Sequence, residues 1–190
     1  AALDAWKQAH LPEATNGYRL VHAEADGLPG LIVDRYANTF VFQIHTVGMD
    51  RFRGEIVDAL IATFKPDAIV ERSDIDSRTR EGLGPLPPKI HHGVVTDAVS
   101  FQEHGLTFLA DIVKGQKTGF FLDQREARRS VGTISKGKRV LNLFGYSGAF
   151  SVHAAKGGAA FVATVDMSHA ALEVAERQFT LNGFDPTNEL

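Results

Sequence analysis

The period of the apolar positions changes several times along this chain, and the changes mark its organisation. Residues 1–16 carry a short helical pattern of Leu3, Trp6 and Ala9, closed by Pro12 and Asn16-Gly17, as in a linker helix or the tail of a preceding domain. From Tyr18 the period becomes that of strands. Tyr18 to Glu24, the turn signal Asp26-Gly27-Leu28-Pro29-Gly30, Leu31 to Tyr36 and Phe40 to His45 predict a three-stranded meander. Gly48 to Phe64 places Phe52, Ile56, Val57, Leu60, Ile61 and Phe64 at helical spacing and stops before Pro66, and Ala68 to Val70 supplies a buried strand. Residues 71–89 are polar and rich in Gly and Pro, which predicts a long loop. Val99 to His104 and Leu106 to Ile112 form a hairpin about Gly105. These elements, strands, one helix and strands again, make a small α+β domain over 17–113.

The pattern beyond Lys114 differs. Gly115 to Gly119 is a flexible approach, and Phe121 to Ile134 reads as a helix with Ala127, Val131 and Ile134 on one face and arginines on the other. Strand, helix, strand and helix then follow. The strands, Val140 to Phe144 and Phe161 to Val165, are apolar enough for a parallel sheet buried on both faces. The helices are Ala149 to Lys156, ended by Gly157-Gly158, and Ser168 to Leu181, with a Ser N-cap and an Asn182-Gly183 stop. Residues 114–190 thus read as the start of a doubly wound α/β domain.

Composition narrows the picture. At 44% hydrophobic residues the 190-residue chain can pack one large or two small cores. No apolar run approaches the roughly 18 to 20 residues of a membrane span, and Ala1 to Trp6 lacks the pattern of a signal peptide, so no membrane partner and a cytoplasmic location are expected. The chain begins at Ala1 and is expected to be a piece of a longer protein. With no cysteine, it has no disulfide, Cys-based zinc site or thiol nucleophile. His91 and His92 are neighbours on an extended segment whose rings point apart, so no metal site is expected there. The net charge of −3 argues against a wholesale nucleic-acid wrapper, but Lys114 to Arg139 holds eight basic and two acidic residues, an excess of +6 that leaves −9 elsewhere. Either a solvated face or phosphate contact explains such a cluster; Arg125, Arg128 and Arg129 are its candidate RNA-binding residues. Arg78 and Arg80 in the long loop are further candidates, whereas Asp74 and Asp76 read as loop solvation.

The turn Asn142-Leu143-Phe144-Gly145-Tyr146-Ser147-Gly148-Ala149-Phe150 carries the candidate chemistry. It leaves the first strand of the βαβ unit, and Asp166 ends the second strand 21 residues after Gly145. Glycines there permit a tight turn beside a ligand, and an acid at the second strand end can accept hydrogen bonds from both hydroxyls of a ribose. Two glycines three apart differ from the Gly-x-Gly-x-x-Gly that admits a pyrophosphate, which favours S-adenosylmethionine over NAD. A plain packing turn, with Asp166 capping the next helix, fits the same residues. Reading Gly145 to Ala149 as a hydrolase nucleophile elbow around Ser147 requires a converging acid and histidine, and His153 and His169 lie in local helices without such a partner.

Two stretches make the resemblance specific: Gly115-Gln116-Lys117-Thr118-Gly119-Phe120-Phe121-Leu122-Asp123-Gln124-Arg125, and Val140 to Ser151 with Asn142-Leu143-Phe144-Gly145 at its centre. With Gly27 to Tyr36 and Glu71-Arg72-Ser73-Asp74, they resemble the bacterial family that methylates cytosine C5 in large-subunit ribosomal RNA, over about 17–183. That family joins an N-terminal RNA-binding domain of the pseudouridine-synthase-associated type, a central α+β domain of strand-strand-helix-strand-strand type and a Rossmann-like methyltransferase domain. The resemblance implies the second of these and a truncated third. It also implies that Phe121 and Gln124 help enclose S-adenosylmethionine, that Asn142, Gly145 and Gly148 line its methionine side, and that Asp166 and Met167 hold its ribose and adenine. Asn142 departs from the Asp of many relatives; an amide accepts a hydrogen bond but cannot pair with an ammonium as a charge.

In that family a late cysteine attacks C6 of a flipped cytosine and an Asp-Pro-Pro-like motif lies on the fourth strand. Neither occurs here, and Asp185-Pro186 follows the second helix in a connection. The expectation is therefore a methyltransferase acting on ribosomal RNA, present without its catalytic half and inactive by itself, with a homodimer as a further expectation. A methyltransferase with another substrate, or a non-catalytic RNA-binding or scaffold fragment, is the alternative.

Overall fold

The computed structural model describes residues 1–186; positions 187–190, the end of the expected second domain, lie outside the described residues. The chain forms two compact units, Ala1–Phe101 with Ala110–Leu122, and Gln102–Leu109 with Asp123–Leu190. It therefore crosses between units three times, where the sequence places boundaries after residues 16 and 113.

In the first unit, strands β1 (Gly17–His22), β2 (Leu31–Tyr36), β3 (Thr39–Ile44), β4 (Ala68–Glu71) and β5 (Lys89–Gly93) form one sheet in sequence order. β1, β2 and β3 are the antiparallel meander. β4 joins parallel to β3, which requires a crossover. Helices α2 (Val47–Asp50) and α3 (Arg53–Phe64) supply it. The single helix expected over 48–64 is thus two, broken where the Asp50 carboxylate receives Arg53 and Arg78. Val57 and Leu60 of α3 pack with Tyr18, Leu20, Val33, Phe40 and Phe42 of the sheet.

Two expectations need correction. Residues 1–16 are more than a linker: α1 (Ala2–Ala9) belongs to this unit, with Asp4 accepting from Tyr18 and Arg35 and Lys7 paired with Asp26 at 3.1 Å. The segment 71–89 is also more than solvated loop. It contains a 3-10 helix (Asp76–Glu81) whose Arg78 is 2% exposed, donating to Ile44 O, Gly84 O and Asp50, so Arg78 has no face for phosphate. Asp74 pairs with Arg72 at 3.0 Å instead of serving solvation.

β6 (Val99–Glu103) and β7 (Leu106–Ala110) form a two-stranded hairpin. In the second unit a 3-10 turn (Leu122–Gln124) leads into α4 (Arg125–Ile134), followed by β8 (Arg139–Leu143), α5 (Ala149–Lys156), β9 (Phe161–Val165) and α6 (His169–Leu181). β8 and β9 are parallel. This is the expected α/β class. Val162 and Thr164 on one face of the pair are buried, but on the other Leu141, Leu143 and Val165 are 62%, 56% and 50% exposed, so the strands are not covered on both faces. α4 also turns its expected faces round: Ile134 is 63% exposed and Arg128 is buried.

Candidate functional site

Because β8 and β9 run in register from Arg139 opposite Phe161 to Leu143 opposite Val165, they end side by side. The crevice beyond the carboxyl ends of such strands is where open α/β sheets take ligands. The turn after β8 is tied to β9 and closed on itself: Gly145 N–H donates to Val165 O at 3.0 Å and Gly148 N–H to Gly145 O at 2.8 Å. A Cβ at Gly145 would come within 2.5 Å of Thr164 Cγ2 and 2.9 Å of Asn142 Nδ2. At Gly148, φ is +70° and a Cβ would lie 2.8 Å from Ala175 Cβ on α6. Both glycines are thus demanded by the chain's packing on itself. Phe144 and Tyr146 also adopt positive φ, 56° and 48°. Such geometry costs roughly 1–2 kcal/mol per residue, and it concentrates where a site needs a particular backbone shape.

Asp166 follows β9 directly. Its Oδ2 accepts from Tyr146 N–H at 2.8 Å and its Oδ1 from Ser168 N–H at 2.9 Å. The Ser168 and Tyr146 N–H groups hold its carboxyl below the usual carboxylate range, so it is charged at neutral pH. A carboxylate has about four acceptor positions, more than the Ser168, Tyr146 and Met167 N–H groups fill. Asp166 does act within the turn, as the packing-turn reading has it, and it keeps acceptor capacity beyond those bonds.

Asn142, on the covered face of β8, is fixed from below: its Nδ2 donates to Ser151 Oγ at 2.9 Å, and Thr164 Oγ1 donates to the same oxygen at 2.7 Å. Among the described residues no donor is recorded to Asn142 Oδ1, which leaves that acceptor for a ligand. Gln178 is a second support, donating to Ser147 O in the turn and accepting from Leu109 N–H at 2.9 Å. Ser151, Thr164 and Gln178 do not stand out in the sequence pattern. Their signal is weak, since each is one polar residue within an apolar helix or strand.

Asn142, Gly145, Gly148, Asp166 and Met167 are therefore brought to one end of the parallel pair, and Met167 is 99% exposed there. Gln124 is exposed at the start of α4, with no hydrogen bond to that group among the described residues. Phe121 belongs to the first unit, where Lys117 Nζ lies 4.7 Å from its ring centroid.

The three arginines expected at RNA fare differently. Arg128 is 1% exposed and makes a two-pronged pair with Glu103, Nε to Oε1 at 2.7 Å and Nη2 to Oε2 at 2.6 Å. It therefore cannot present its charge to phosphate. His153 Nε2 lies 3.1 Å from the same Glu103, completing a buried cluster. Burial pushes the Glu103 carboxyl up, but hydrogen bonds from His153 and Arg128 outweigh this and hold it below its usual range. Arg125 and Arg129 remain at the surface, both paired with Glu126, at 3.1 and 3.9 Å.

A family model described as S-adenosylmethionine-dependent methyltransferase matches residues 91–188. Ribosomal RNA large subunit methyltransferase I of Shewanella denitrificans is 43% identical over 176 residues, covering 93% of this chain and 44% of its own. A Streptococcus mutans protein designated an S-adenosylmethionine-dependent methyltransferase superposes with a TM-score of 0.81 at 28% identity, over 98% of this chain and 48% of its own. A solved chain designated a methyltransferase and complexed with SAH gives the same TM-score and identity, over 99% of this chain and 49% of its own. The chain thus spans about half the length of these relatives.

Proposed function

The chain belongs to the S-adenosylmethionine-dependent methyltransferase family, and from that premise we propose that the complete protein methylates a base of large-subunit ribosomal RNA, with cytosine C5 as the favoured position. The observation that carries the proposal is 43% identity, over nearly the whole chain, to a ribosomal RNA large subunit methyltransferase I. The crevice fits the cofactor. Asp166 offers paired acceptors to the ribose hydroxyls, and Asn142 Oδ1 offers one to the amino group of the methionine portion. Gly145 and Gly148 keep the turn close to that portion, and exposed Met167 provides apolar surface for adenine. Gln124, at the start of α4, is a further residue proposed to help enclose the ligand. When bound, the cofactor supplies an electrophilic methyl group on a sulfonium.

Residues 1–190 hold no cysteine, so attack on C6 of a cytosine would need a thiol from outside them. The 190 residues alone are accordingly proposed to be inactive. The test is to incubate the complete protein with methyl-labelled S-adenosylmethionine and under-methylated large-subunit ribosomal RNA, then digest the RNA to nucleosides. Label in 5-methylcytidine is expected. Label in another nucleoside would refute the C5 assignment, and no label in RNA would refute the ribosomal substrate.

A further inference from the structure

The positive charge that Arg125, Arg128 and Arg129 do not leave free is present elsewhere on the second unit. We propose that the edge where β8 and β9 begin is a docking surface for the phosphate backbone of structured RNA, formed by Lys136, Lys138, Arg139 and Lys156. All four are exposed. They are brought together by backbone bonds: Lys138 N–H donates to Ser135 O at 2.9 Å, Gly137 N–H to Gly158 O at 2.8 Å, and Ala160 N–H to Lys138 O at 2.8 Å. The loop before β8 is thereby tied to the loop that follows Lys156. The junction is close-packed as well, since a Cβ on Gly157 would lie 1.9 Å from Gly132 O. Arg139 is held with its guanidinium 4.5 Å from the Phe161 ring centroid, which fixes its direction without using its N–H donors.

Charge distribution gives this edge its partner. No acidic residue occurs between Glu126 and Asp166. Among the described residues, no acid pairs with any of the four cations, whereas Arg125 and Arg129 share Glu126 and Arg128 is consumed by Glu103. A face meant only for solubility usually intersperses both signs. A segregated, unpaired set of four cations on a stiff loop pair is suited to phosphates, which position a nucleic acid without reading its sequence. The edge lies a strand's length from the cofactor crevice, about 15 Å for five residues, so it would anchor RNA away from the reacting base. Choosing RNA among polyanions rests on the proposed function.

The test measures binding of the complete protein to a fluorescently labelled A-form RNA duplex by anisotropy over a range of salt, with SAH titrated into the same preparations by calorimetry. Replacing Lys136, Lys138, Arg139 and Lys156 together by Gln should lower the slope of log affinity against log salt by about 3, each phosphate contact being worth roughly 0.7–0.9. The pairs K136Q/K138Q and R139Q/K156Q should each give about half of this, with unchanged thermal midpoints, and R125Q/R129Q should change the slope by less than either pair. An unchanged slope in the four-fold variant, an equal effect from R125Q/R129Q, or no duplex binding by the unsubstituted protein would overturn the docking surface. The SAH titration separates the two readings: loss of SAH binding in the unsubstituted protein would defeat the proposed function, while the slopes still decide the surface.

Discussion

Arg128 shows how much one residue's environment decides. Its guanidinium, Glu103 and His153 are buried together, so removing Arg128 leaves the Glu103 carboxylate out of water and without the guanidinium that pairs with both its oxygens. Arg128→Ala is predicted to cost about 3–5 kcal/mol in urea unfolding, whereas replacing Arg128 by Met together with Glu103 by Leu should cost much less. The pH dependence has a defined sign. Because the Glu103 carboxyl is held below its usual range in the folded chain, its contribution is present above the ordinary carboxylate range and is lost as pH falls through the depressed value. The urea midpoint should fall in acid more steeply for the unsubstituted chain than for the R128M/E103L variant, and parallel acid limbs would show that the cluster does not set them. Asp166 behaves alike on the binding side: held low by the Ser168 and Tyr146 N–H groups, it should leave SAH affinity flat between about pH 5 and 8 and weaken it only in stronger acid.

At the scale of elements, α6 ties the crevice to the hairpin. Gln178 joins Ser147 O to Leu109 N–H, and Asn182 accepts from Thr107 N–H at 2.8 Å while donating to Thr107 O at 2.7 Å. Gln178→Leu strands two buried backbone groups, and stability should fall by about 1–3 kcal/mol. Faster hydrogen exchange at the Leu109 amide would locate the loss, and unchanged exchange there would remove Gln178 from this role. The meander, both parallel strands and the glycine turn were legible in the sequence because their signals are local: period-two alternation, β-branched runs and turn residues. β5 was not, since Lys89-Ile90-His91-His92-Gly93 is an exposed edge strand without an apolar run, identified only by its ladder to β4. The faces of α4 were misread for a related reason. Arginine is normally a solvent residue, and the partner that buries Arg128 is Glu103, 25 positions away. Likewise α1 looked like a linker because the groups that hold it, Tyr18, Arg35 and Asp26, lie on other elements.

For the molecule as a whole, the open face of the parallel pair sets the behaviour of the isolated chain. Leu141, Leu143 and Val165 are exposed together, with Phe144 at 87% beside them. Such a patch favours association. We propose that the 190-residue chain self-associates, so its sedimentation should depend on concentration and become monomeric when Leu141 and Leu143 are replaced by Glu; concentration-independent sedimentation of the unsubstituted chain would contradict this. The central claim is that the turn of Asn142 to Gly148 and Asp166 form an S-adenosylmethionine crevice. Its most direct measurement is calorimetric titration of SAH into the complete protein and its Asp166→Ala variant. The predicted result is binding by the former and a loss of roughly 10- to 100-fold in the latter, the 1.5–3 kcal/mol of hydrogen bonds to a charged group. Equal affinity in the two proteins would contradict it.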